Sequence, residues 1–60
     1  MARNADLKLA DDADAVAAKH EAWAVEDAAS GHTHRAAFHT RQAAQYRDLA
    51  TVYRAHAGAQ

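Results

Sequence analysis

Residues 36–57 read AAFHTRQAAQYRDLATVYRAHA, and the spacing inside this stretch decides the fold. Ala36, Ala43, Ala50 and Ala57 recur every seven residues, with His39, Tyr46 and Tyr53 interleaved. Alternating steps of three and four keep side chains on one face of an α-helix, so this is a stripe presented to a packed neighbour. A second series, Phe38, Gln42, Gln45, Leu49, Val52 and His56, runs beside it at the same spacing. A helix with two adjacent seams can pack against two neighbours at once.

Upstream, Leu9, Ala13, Val16, His20, Trp23 and Asp27 form a comparable stripe, with Ala10, Ala17 and Ala24 beside it. The other side of that segment carries Asp12, Asp14, Lys19, Glu21 and Glu26. Asn4, Asp6 and Asp11 are acceptable N-caps, and an acidic run suits the positive end of a helix dipole. Residues 1–5 are therefore expected to fray. Continuing the first register past residue 30 would put His34, Arg41 and Asp48 on the seam, which is polar. The phase breaks at Ser30-Gly31, where glycine can adopt the left-handed conformation that ends helices. Thr33 is an acceptable N-cap for the second helix.

The fold expected is all-α: one helical-hairpin domain over residues 1–60. Its first helix runs over about residues 6–29, the turn over 30–33, and the second helix over about 34–57. Residues whose numbers add to about 62 should lie level, so Trp23 faces His39, Val16 faces Tyr46 and Leu9 faces Tyr53. Tyr46 and Tyr53 are read as core residues with their hydroxyls at the solvent edge.

Sixty residues lie near the lower limit for independent folding, and this chain has few large apolar side chains. It has no cysteine, which excludes disulfides and thiolate metal sites. Association with a second copy, or with another protein, is the expected remedy, and a metal comes second. The net charge of −1 hides an asymmetry: residues 1–30 carry three basic and seven acidic side chains, residues 31–60 four arginines and Asp48. The halves complement each other. No apolar run is long enough to cross a bilayer and no signal core is present, so a cytoplasmic protein without membrane contact is expected.

A lone hairpin covers one seam of the second helix and leaves Phe38, Gln42, Gln45, Leu49 and Val52 open. These are the candidate interface residues of a homodimer, and two hairpins joined through them make an antiparallel four-helix bundle. In size and layout this resembles Rop, the plasmid copy-control family of dimeric helical hairpins that bind RNA. The resemblance implies a basic RNA face on the first helix, whereas the first helix here is acidic. A nucleic-acid-binding regulator of Rop-like layout is thus the alternative function. Its cationic candidates are Arg35, Arg41, Arg47 and Arg54, on a chain of pI near 6.5 that lacks a strong basic footprint.

Five histidines are the one compositional oddity. None follows an acidic residue by three positions and no two lie four apart, so the usual metal spacings of helical bundles are missing. No metal or other cofactor is expected, and a histidine-based metal or pH sensor is a third possibility. His20 and His39 fall on apolar faces, where protonation would place a charge in the seam. His34 and Arg35 should meet Glu26 and Asp27 across the turn. No nucleophile–base set or substrate cradle is visible, so an enzyme is not expected. The function these residues support is a small, non-enzymatic interaction or regulatory module.

Overall fold

The computed structural model describes residues 2–59. Two helices, α1 (Ala2–Ala29) and α2 (Thr33–Gly58), fold back on each other into a hairpin 45 Å long. Alanine-rich segments without proline favour such uninterrupted helices. The turn is built as the sequence suggests. Gly31 has φ 78°, and around it the Gly31 N–H donates to the Ala28 carbonyl at 3.1 Å while the His32 N–H donates to the Asp27 carbonyl at 2.7 Å. This crossed pair is the Schellman arrangement, which satisfies carbonyls that a helix end would otherwise leave unbonded.

Both helices begin earlier than the capping residues suggest. α1 starts at Ala2 and not near residue 6, so Asn4, Asp6 and Asp11 lie inside it, and residues 2–5 are helical. Tertiary contact overrides the local signal here: Asp6 accepts a 2.6 Å bond from His56 Nδ1 and ties the opening turns of α1 to the end of α2. The acidic run at Asp11, Asp12 and Asp14 is therefore mid-helix, where Asp11 and Asp14 pair with arginines of α2 and Asp12 with Lys8. Thr33 is the first helical residue of α2, not its cap; the cap position is His32, which makes no side-chain capping bond.

The buried seam of α2 is the expected alanine row, whereas on α1 it is shifted from the Leu9 stripe toward Ala10 and Ala17. Among the described residues the buried side chains are Ala10, Ala13, Ala17, Ala43, Ala50 and Ala57, together with Asp27. The alanine rows of the two helices face each other, and Leu9, Val16 and Trp23 lie to one side of the seam instead of in it. A methyl group is the smallest side chain with a Cβ, so opposed alanines permit the closest helix approach. Tyr46 and Tyr53 pack partly buried against Ala10, Ala13 and Ala50. The hairpin is thus held by a thin alanine contact, and Leu9, Val16, Trp23, Phe38, Leu49 and Val52 are displaced out of it.

Candidate functional site

The flank of the seam that carries Leu9, Val16 and Leu49 is the candidate site. Leu9, Ala13 and Val16 of α1 line one trough with Tyr46, Leu49 and Tyr53 of α2, and Asp12 stands at its edge. Leu9, Trp23, Phe38, Leu49 and Val52 remain between 40% and 61% exposed. Gln42 is half-buried and Gln45 exposed. The interface residues read from the sequence therefore all stay accessible on the lone hairpin. The spacing predicts an open face on α2 alone, whereas α1 supplies Leu9, Val16 and Trp23 to it as well. The other flank holds Val25 beside Ala24, Thr40, Ala44 and Arg47.

Toward the turn, the open face ends in a cluster of rings. His20 Nδ1 lies 2.7 Å from His39 Nδ1, and the His20 ring stacks on Tyr46 at 5.8 Å. Trp23 meets His20 edge-on at 5.2 Å, and Phe38 meets His39 at 5.3 Å. Two facing Nδ1 atoms can share only one proton, one ring donating and the other accepting; two imidazolium ions would direct N–H against N–H. On its far side, His39 Nε2 stands 3.6 Å from Asp27 Oδ2.

Asp27 is the hub of this end. Its side chain is 12% exposed and accepts a 2.8 Å bond from Arg35, with His32 Nδ1 at 3.8 Å. The Arg35 guanidinium holds the Asp27 carboxyl below the usual aspartate range, against the opposing effect of burial. The expected meeting across the turn thus occurs through Asp27, Arg35, His32 and His39. Glu26 and His34 are exposed and make no ion pair among the described residues. The clue to Asp27 is its place at the end of a stripe that is apolar except for His20.

Along the opposite edge the two halves' charges interlock. Arg47 donates to Asp14 at 3.0 Å and to Glu21 at 2.7 Å, and Arg54 donates to Asp14 at 2.6 Å and to Asp11 at 3.1 Å. With Arg35 on Asp27, three arginines of α2 are engaged with carboxylates of α1. Arg41 is left without an ion pair among the described residues. A phosphate backbone would have to displace these carboxylates, which argues against a nucleic-acid surface on α2.

Hydrogen bonds from Arg54 and then Arg47 lower the Asp14 pKa from its usual 3.8. A carboxyl whose folded pKa is depressed contributes stability that is present above the unfolded value and lost as pH falls through the folded one. The stability advantage of wild type over Asp14→Asn should therefore be constant above about pH 5 and shrink below about pH 4. Thermal melts followed by circular dichroism at low salt measure it. An advantage that persists undiminished at about pH 2 would show that the carboxylate's charge is not what matters.

These features define a class: a two-helix hairpin with an alanine seam, one ion-paired edge and one open apolar face. Comparison with known proteins found no matching family model, no matching curated protein and no matching solved structure. Among the described residues, no group of three or more His, Asp or Glu side chains is placed to hold a metal ion. Among them, too, no helix is long and apolar enough to cross a membrane.

Proposed function

We propose that this chain works as a homodimer, in which two hairpins close their open faces into a four-helix bundle. In this reading it is a small, non-enzymatic interaction or regulatory module. The observation that carries the reading is the separation of small from large. Alanines fill the hairpin seam, while Leu9, Trp23, Phe38, Leu49 and Val52 lie exposed. A contiguous apolar face of this kind marks a contact surface. A 60-residue chain that buries little more than methyl groups also gains the core it lacks when that face is covered. The ion-paired opposite edge remains outside the bundle, available to a further partner.

The test is analytical ultracentrifugation with circular dichroism across a dilution series. Twice the 6.5 kDa of one chain is expected at high micromolar concentration, with helicity lost as the species dissociates. A fully helical monomer at about 100 µM would overturn the dimer, because a hairpin stable without its partner has no need of one.

A further inference from the structure

The charges that find no partner inside the hairpin say how the second copy lies. Asp12, Lys19 and Glu26 recur every seven residues on α1, and Arg41 and Asp48 do so on α2. Asp12 borders the apolar trough, so its row flanks the open face; Arg41 and Asp48 immediately precede Gln42 and Leu49 and flank it from the other helix. Lys19, Glu26, Arg41 and Asp48 make no ion pair among the described residues, and Asp12 has only an exposed 3.4 Å contact with Lys8. On the closed edge, the equivalent positions are fully paired.

Cross-helix partners set the level of each residue. The pairs His20–His39, Asp14–Arg47, Asp27–Arg35 and Asp6–His56 have numbers adding to 59–62, and the sums of 65–68 for Arg47–Glu21, Arg54–Asp11 and Arg54–Asp14 are bridged by long arginine side chains, which lean toward the N-terminus of their helix. Within one hairpin Asp12 is therefore level with Asp48, and Lys19 with Arg41. A two-fold axis can stack two open faces in only two ways. In one, α1 lies on α2 of the other copy, the levels are kept and the turns share an end. Asp12 then meets Asp48 and Lys19 meets Arg41, like charge against like. In the other, each helix lies on its own counterpart, reversed, with the turns at opposite ends. An axis that sets Arg41 level with Asp48 of the second copy then also sets Asp12 level with its Lys19, and every pair attracts.

We propose that the partner on the open face is a second copy running in the opposite direction, with the turns at opposite ends. The inference rests on the dimer reading above and adds its orientation. The same register places Gln45 at the axis, where a side-chain amide can both donate to and accept from its own counterpart. It also sets Leu9 against Trp23 and Phe38 against Val52, and brings Glu26 between Arg3 and Lys8 of the second copy. Rim charges of this kind select among arrangements more than they add affinity.

Two measurements test it. The chain has no cysteine, so a nitroxide on Ser30→Cys reports the distance between the two turns by pulsed electron paramagnetic resonance. About 40–45 Å is expected from the hairpin length. A distance within about 20 Å, two helix diameters, would overturn the orientation while leaving the dimer standing. No dipolar signal, with a monomer in the ultracentrifuge, would overturn the dimer itself. Independently, Asp48→Arg should weaken association by roughly tenfold, since two symmetric contacts turn repulsive, and adding Arg41→Asp should restore it. Tighter association of Asp48→Arg would place Asp48 beside Asp12 and overturn the proposal.

Discussion

Leu49→Asp should weaken the proposed dimer by roughly a thousandfold, so the variant is monomeric at concentrations where the wild type is still associated. Leu49 is 40% exposed on the hairpin and lines the trough with Tyr46 and Tyr53, where the proposed second copy would complete its burial. Each copy loses about 1–2 kcal/mol of apolar transfer and must also bury an unpaired carboxylate, at a further cost of about 1–3 kcal/mol. Symmetry counts the change twice. The total is about 4 kcal/mol or more, roughly a thousandfold in Kd. Ultracentrifugation measures the shift directly. An unchanged association constant would remove Leu49 from the interface and require a different occupant for the open face.

Ala17→Leu should damage the hairpin itself. Ala17 is 0% exposed, with Ala10 one heptad before it on the seam that faces Ala43 and Ala50. An isobutyl group has no space there unless the helices separate. Overpacking costs about 1–3 kcal/mol, and separation would also lengthen the Arg47 and Arg54 contacts to α1. For a chain of this size, a loss of that magnitude lowers the melting temperature by about 4–8 °C per kcal/mol. Ala22→Leu, on the exposed side of the same helix, is the control and should melt within a few degrees of wild type. If Ala17→Leu melts like the control, the alanine rows are not the contact that holds the hairpin.

The two substitutions probe different faces, and the sequence distinguished those faces unequally. Ala36, Ala43, Ala50 and Ala57 announced a contact stripe, and three of the four are buried. Phe38, Leu49 and Val52 announced a second seam, and they lie open. On α1 the stripe of Leu9, Ala13, Val16, His20, Trp23 and Asp27 outweighed the adjacent Ala10 and Ala17, although only Ala13 and Asp27 of that stripe are buried and Ala10 and Ala17 share the contact. Periodicity weighs residues by hydrophobicity, whereas helix packing also selects for small volume. Two rows 100° apart cannot be ranked without knowing how closely the partner helix approaches.

By itself, the sequence determined two helices, the turn at Gly31, the charge complementarity of the halves and a surplus apolar seam. Each of these is a local or periodic property, set by backbone conformation and by side-chain spacing along one helix. Tertiary structure alone decided which row of each helix faces the other, that Asp27 becomes a buried hub for Arg35 and His39, and that His20 meets His39 at 2.7 Å. It also decided where α1 begins, because Asp6 is held by His56 from the far end of the chain. Those outcomes depend on distances between residues remote in sequence, which no spacing within a single helix encodes.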